Sequence, residues 1–274
     1  MNSLLSIKDL HVSFGLGSET VDAVRGINLE IARGEIVGIV GESGSGKSAS
    51  MLSVMRLLET TATTRGTVHF AGKELFSASS KEMREIRGGK IGMIFQDPMT
   101  SLNPSFRIGS QIAEAIIRHQ HVSTKIAVSK ATDLLEVVSI PRPSESMSLF
   151  PHEMSGGMKQ RVMIAMAIAN DPELLIADEP TTALDVTIQA QILEVLKGLR
   201  ETRNLSIVII THDLGVVAGL ADSVNVMYAG EIVESGDVEG VFYNSTHPYS
   251  RGLLSCVPRL DIRESALHPL GGDP

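Results

Sequence analysis

Two stretches of this chain carry residue types and spacings that could handle a polyphosphate. The first, Gly41-Glu-Ser-Gly-Ser-Gly-Lys-Ser48, fits the pattern G-x-x-x-x-G-K-[ST] at every position. Gly44 and Gly46 let the backbone curl so that successive N–H groups point at phosphate oxygens. A helix opening near Lys47 aims its positive end at the same place, and Lys47 neutralises β- and γ-phosphate charge. The Ser48 hydroxyl can ligate Mg²⁺. The nucleotide contacts expected from this stretch are Gly41, Ser43, Gly44, Ser45, Gly46, Lys47, Ser48 and Ala49. The second stretch, Leu174-Leu-Ile-Ala-Asp-Glu179, is an apolar run ending in two adjacent carboxylates. Asp178 is placed to hold Mg²⁺, directly or through water, and Glu179 to polarise an attacking water as general base. Either stretch alone could be a glycine-rich turn or a solvated strand exit. In one chain they point to hydrolysis of ATP with Mg²⁺.

Such residues need strands and helices to place them. Residues 35–40 read as a buried strand running into the glycine-rich turn, and 48–58 has helical spacing through Met51, Val54, Met55 and Leu58. A strand at 174–177 delivers Asp178 and Glu179 to the C-terminal edge of a sheet, where ligands bind in open α/β folds. Residues 4–31 read as short strands, in which Leu10, Val12 and Phe14 alternate with polar residues and Gly15, Gly17 and Gly26 mark turns. Further strands are expected at 91–95 and 205–210, with a final hairpin of 224–228 and 231–233 around Ala229-Gly230. Helical patterns cover 108–140, through Ile112, Ile116, Ile117, Leu134, Leu135 and Val138, and return at 160–169 and 187–199. This alternation predicts an α/β nucleotide-binding core within residues 1–250, a helical insertion at about 98–170, and a tail at 251–274.

With 274 residues, 43% of them hydrophobic, the chain suits one large domain, or one with an insertion, around a real core. A net charge of −8 argues against a nucleic-acid binder, which more often presents a basic face, so no nucleic acid is expected as a partner. The single cysteine, Cys256, cannot form an internal disulfide and reads as a small apolar residue. No basic segment followed by a long apolar run opens the chain, and no stretch of about eighteen uncharged apolar residues occurs. Service to a membrane would come from the cytoplasmic surface through a partner.

A third stretch ties these features to one superfamily. His152-Glu-Met-Ser-Gly-Gly-Met-Lys-Gln-Arg161 precedes Asp178 by about twenty residues and resembles the signature of ABC ATPases, usually written Leu-Ser-Gly-Gly-Gln. Ser155, Gly156 and Gly157 match it, while Met154 and Met158 depart from the common Leu and Gln. The resemblance implies that this serine, two glycines and helix start form a second phosphate-binding surface, facing the γ-phosphate held by another subunit. Phe95-Gln96 resembles the Q-loop, whose Gln96 senses Mg²⁺ and water; Thr182-Ala-Leu-Asp185 resembles the D-loop that crosses the dimer interface. Ile210-Thr-His212-Asp resembles the switch histidine segment that contacts the γ-phosphate, so Glu179 and His212 compete for the main catalytic role. Phe14 stands where the family stacks an aromatic on adenine, and could equally be a core residue.

The matching elements occur in family order across about 4–259. They imply a P-loop (RecA-like) ABC ATPase core with an antiparallel β subdomain and an inserted α-helical subdomain. They also imply transmembrane permease subunits as partners, a second ATP-binding subunit that is identical or related, and a peripheral place on the cytoplasmic side of the inner membrane. The insertion would dock the permease through Met99, Leu102 and Phe106, residues that could equally be core.

Asp97-Pro-Met-Thr-Ser-Leu-Asn-Pro104, the run from Ala177 to Gln191 and Thr246-His-Pro-Tyr-Ser-Arg-Gly-Leu-Leu254 look like the oligopeptide, dipeptide and nickel importer branch, as does Met158. In such systems a periplasmic or extracellular solute-binding protein and the permease choose the cargo. Many members carry a later cysteine-rich segment, in some an iron–sulfur site. This chain is expected to be trimmed before it, half of a fused double ATPase, or a member lacking it, and Cys256 alone cannot hold a cluster. The alternatives are a soluble non-transport ABC ATPase, or an importer of nickel or glutathione.

Overall fold

The computed structural model describes residues 3–16, 19–97, 101–182 and 184–255. Readings that fall on Gly17, Met99, Cys256 and the tail beyond 255 lie outside the described residues. In chain order the strands are β1 (Leu5–Leu16), β2 (Glu19–Ile31), β3 (Ile36–Val40), β4 (Ala62–Phe70), β5 (Lys73–Glu74), β6 (Ile91–Ile94), β7 (Leu174–Asp178), β8 (Ser206–Thr211), β9 (Ser223–Tyr228) and β10 (Glu231–Asp237). The described helices are α1 (Lys47–Val54), α2 (Ser80–Ile86), α3 (Ile108–Gln120), α4 (Thr124–Val137), α5 (Pro143–Ser146), α6 (Gly156–Ala167), α7 (Val186–Arg203), α8 (Leu214–Leu220), α9 (Val238–Asn244) and α10 (Pro248–Ser255). The chain divides into two compact units, one from Met1–Ala78 with Val208–Pro274 and one from Ser79–Ile207.

In the first unit, β2-β1-β4-β5 form an antiparallel sheet. The glycines of 4–31 do not cut this stretch into short strands. β1 and β2 are 12 and 13 residues long and run through Gly15 and Gly26, and register shifts between Ile7 and Leu10 and between Val12 and Ser13 absorb the irregularity as bulges. Leu10 and Val12 are fully buried, as their alternation predicts, whereas Phe14 is only partly covered. A second set of strands lies in the order β10-β9-β3-β8. All five residues of β3 are buried. β9 pairs parallel with β3 and antiparallel with β10. That hairpin closes on Ala229 and Gly230, both at positive φ (46° and 87°), as a two-residue turn matched to strand twist requires. Val40, Val217, Val224, Val226 and Val241 form one core cluster, against which Tyr249 and Leu253 pack.

Met51, Val54 and Met55 are buried as the spacing predicts, but the helix stops at α1 and Leu58 lies beyond it. Arg56 turns to φ 49° just past the helix and donates to the carbonyls of Leu75 (3.3 Å) and Ala78 (2.5 Å).

In the second unit, β6 and β7 pair parallel. The strand expected at 91–95 ends one residue early, and Phe95 is exposed. The helical pattern of 108–140 is two helices, α3 and α4, parted at His121, whose φ of 52° caps α3. Ile112, Ile116, Leu134, Leu135 and Val138 are buried as expected and Ile117 is partly covered, but two helices stand where one continuous pattern is expected. No described helix is long and apolar enough to cross a membrane.

Candidate active site

Strand β3 delivers the chain into a loop that only glycine can follow at two points. Gly41 has φ 156°, and a Cβ there would meet the Met227 carbonyl oxygen at 2.1 Å. Gly46 has φ 98°, and a Cβ would meet the Ala23 carbonyl oxygen at 2.2 Å. The loop closes through Ser45 N–H donating to the Glu42 carbonyl at 3.3 Å, and the hairpin turn holds it from outside, with Gly230 N–H donating to the Ser45 carbonyl at 3.1 Å. α1 follows with no side-chain cap at Gly46 and no acidic residue in its first turn, as an anion-receiving helix start should. Lys47 is 4% exposed, and its ammonium donates to the carbonyls of Gly41 (2.7 Å) and Glu42 (2.6 Å) and to Ser45 Oγ (3.4 Å). A buried cation is thereby held on its own loop. Ser45 is buried, Ser48 and Ala49 are partly covered, and Ser43 and Gly44 are exposed.

His212 also belongs to the first unit. It is exposed and follows directly on β8, whose residues are all buried. The turn around it is fixed on both sides: Asp213 N–H donates to Thr211 Oγ1 at 3.0 Å, and the Asp213 carboxylate accepts from Gly215 N–H at 2.8 Å. Phe14 lies near the end of β1, opposite Val21 and Ala62, with part of its surface open.

In the second unit, β7 carries Asp178 to its end at 4% exposure. Glu179, the next residue, is partly exposed and takes φ 48°, a left-handed conformation that costs a non-glycine residue about 1–2 kcal/mol. Strain of this kind in a carboxylate at a strand end is a functional pointer. Thr182 holds the turn, its hydroxyl donating to Glu179 Oε2 at 2.6 Å and its N–H to the Glu179 carbonyl at 3.2 Å. Thr182 stood inside the D-loop phrase, yet its part in orienting Glu179 needed the turn to be seen.

Ser155 is the N-cap of α6, accepting from Met158 N–H at 3.3 Å. The two glycines after it differ. A Cβ on Gly157 would meet Ile188 Cγ2 at 2.7 Å, so α7 packs where no side chain fits, whereas one on Gly156 would make only an ordinary contact at 3.8 Å. Arg161 anchors α6: it donates to the carbonyls of Val138 and Ser139, both at 3.0 Å, and to Gln191 Oε1 at 2.6 Å. Asp185 caps α7 through Ile188 N–H at 2.9 Å, and Val186 beside it is 82% exposed.

Gln96 is exposed just after β6. The far end of its loop reaches the segment before the signature: Arg107 donates to the Ser148 carbonyl and lies 4.9 Å from the Phe150 ring centroid. Of the docking residues read from sequence, Leu102 is buried and Phe106 is 56% exposed, while Met99 lies outside the described residues.

Residues 24–182 match the ABC transporter family. The chain is 53% identical over 274 residues to the oligopeptide transport ATP-binding protein OppD of Bacillus subtilis (strain 168), covering 99% of this chain and 76% of the relative. The chain belongs to the ABC transporter family. It is an ATP-binding and ATP-hydrolysing cassette. Residues 233–274 match a second family, the oligopeptide/dipeptide transporter C-terminal region. The dipeptide transport ATP-binding protein DppD of the same organism is 51% identical, covering the whole of this chain and 82% of its own. Among solved structures, a dimeric ATP-binding cassette in a post-hydrolysis state, bound to ADP and Pi, superposes with a TM-score of 0.77 at 29% identity. It covers 85% of this chain and 98% of its own. The fold is therefore that of the ABC cassettes.

Proposed function

We propose that this chain is the ATP-hydrolysing subunit of an importer that takes up peptides, a peripheral protein on the cytoplasmic side of the inner membrane. The observation that carries the peptide reading is the match of 233–274 to the oligopeptide/dipeptide transporter C-terminal region, which favours it over a soluble ABC ATPase or a nickel or glutathione importer. The nucleotide reading stands on the geometry of the loop at 41–48, with its glycine-only curvature and buried Lys47.

ATP enters with its phosphates on the loop N–H groups and on Lys47, and Phe14 stacks on adenine. Ser48, Asp178 and Gln96 are the groups read as holding Mg²⁺: each offers a hard oxygen donor, the kind this ion takes when phosphates and water complete its shell. When bound, it offsets charge on the β- and γ-phosphate oxygens. Glu179 takes the proton of the attacking water, held in orientation by Thr182, while His212 contacts the γ-phosphate.

Ser155 and Asp185 cap their own helices, yet both are exposed, as is Gly156, and Val186 is bare, which suits this surface to complete the site of a second cassette. A homodimer or a pair with a related subunit gives two such sites. Exposed Phe106 suits a contact with a transmembrane permease subunit, to which a solute-binding protein brings the peptide. The test is reconstitution with the permease pair in proteoliposomes. Peptide-loaded binding protein should stimulate ATP hydrolysis and drive labelled peptide inward, and Phe106→Asp should lose recruitment while keeping ATP binding. Active ATPase with no peptide response would overturn the peptide reading.

A further inference from the structure

The phosphate loop is held by a side chain that enters from the far end of the chain. Glu42 N–H donates to the hydroxyl of Tyr249, on α10, at 2.9 Å across 207 positions of sequence. The other end of the same peptide group is the Gly41 carbonyl, which accepts from Lys47 Nζ at 2.7 Å. A peptide group is planar, so fixing its C=O and its N–H fixes its rotation. Tyr249 is itself well located. Its ring lies 4.4 Å from that of Tyr228, tilted by 42°, and packs on the cluster of Val40, Val224 and Val226. Its N–H donates to His247 Nδ1 at 3.2 Å. The Glu234 carboxylate on β10 accepts from Thr246 N–H at 2.6 Å, Thr246 Oγ1 at 3.1 Å and His247 N–H at 3.4 Å, which fixes the approach to α10.

We propose that Tyr249 is a positioning residue for nucleotide binding: its hydroxyl holds the Gly41–Glu42 peptide group in the orientation that the phosphate loop needs. The proposal rests on reading 41–48 as the phosphate loop. Lys47 is the other clamp on this peptide group, and phosphate oxygens compete for its ammonium. As nucleotide enters and draws Lys47 away, the Tyr249 hydroxyl becomes the remaining hold. Its bond therefore matters more with nucleotide present than without, which is the condition for an effect on affinity. The segment 246–250 is in this way a strut between β10 and the loop, and the exposed face of the loop stays open to its ligand.

The test is Tyr249→Phe, which keeps the ring against Tyr228 and the core and removes only the hydroxyl. The KM for ATP and the dissociation constant for Mg-ATP should rise about 2- to 13-fold, the range of one hydrogen bond, while kcat falls by less than about 2-fold. Exchange of the Glu42 amide, read without nucleotide by hydrogen–deuterium exchange, should speed up, and the melting temperature should stay close to that of the wild type. Tyr249→Leu, which also removes the ring, should add a fall in melting temperature. Unchanged ATP affinity and unchanged Glu42 exchange in Tyr249→Phe would overturn the proposal. So would a fall in melting temperature as large as that of Tyr249→Leu, since packing alone would then explain the loss. Failure of the wild type to bind ATP would instead count against the phosphate-loop reading, and the Glu42 exchange still reports on Tyr249 in that case.

Discussion

Replacing Glu179 by Gln separates binding from hydrolysis. The structure sets the size of what is lost. Gln keeps an oxygen that can accept from Thr182 Oγ1, now 2.6 Å from Glu179 Oε2, and it bears φ 48° no worse than Glu does. Stability should therefore stay within about 0.5 kcal/mol of the wild type. Lys47, Ser48 and Asp178 are untouched, so Mg-ATP affinity should stay within about 2-fold. What disappears is a group that accepts a proton. Loss of a general base costs on the order of 10²- to 10⁴-fold in rate, or about 2.7–5.5 kcal/mol of barrier. If Glu179 merely held the water through one hydrogen bond, the loss would be about 0.5–1.5 kcal/mol, roughly 2- to 13-fold. The two readings differ by about an order of magnitude, which single-turnover hydrolysis resolves easily. With hydrolysis blocked, an ATP-bound dimer should accumulate, measurable by light scattering. A loss under about 10-fold in Glu179→Gln, beside collapse in His212→Ala, would refute the assignment and give the leading role to His212.

Lys47→Ala removes a buried ammonium that bridges the Gly41 and Glu42 carbonyls; charged hydrogen bonds of about 1.5–3 kcal/mol predict a fall of about 10- to 150-fold in ATP affinity, and calorimetry showing none would exclude the loop as the phosphate site. Gly157→Ala forces a methyl to within 2.7 Å of Ile188 Cγ2 and should destabilise by about 1–3 kcal/mol, whereas Gly156→Ala, with 3.8 Å of room, should not; equal melting curves would contradict the packing. Burial works to raise the Glu74 carboxyl, but hydrogen bonds from Ser77, Phe76 and Val68 outweigh it and hold the pKa down at about 2. A depressed carboxylate contributes stability above its unfolded value, about 4.3, and loses it as pH falls through about 2. The difference in stability between wild type and Glu74→Gln should thus be constant above about pH 5 and shrink on acidification towards pH 2; a difference that grew on acidification would reverse the sign.

Much of the chemistry was legible without a structure because phosphate binding is done by contiguous backbone. Gly41 to Ser48 and Leu174 to Glu179 each gather the groups of their proposed role within a few residues, so type and spacing suggest it, whereas Ser155 to Gly157 was read through its resemblance to the ABC signature. The apolar faces of α3 and α4 were legible for the same local reason, since one helical period places Ile112, Ile116, Leu134 and Leu135. Boundaries were less so. Gly26 reads as a turn in sequence, yet pairing on both sides of β1 keeps the sheet running and makes a bulge nearby. Just past α1, Arg56 turns to positive φ and its guanidinium meets the carbonyls of Leu75 and Ala78, partners that no local pattern announces.

Tertiary structure alone decided what braces the site. Glycine is required at Gly41 because the Met227 carbonyl occupies the space, and at Gly46 because the Ala23 carbonyl does. Arg161 finds Gln191 thirty positions away, and Glu42 finds Tyr249 from the opposite end of the chain. Periodicity reports which face of an element is buried but not which element covers it. A hydrogen bond across 207 residues leaves no trace in either local pattern, so the motifs could be read from the sequence and their supports could not.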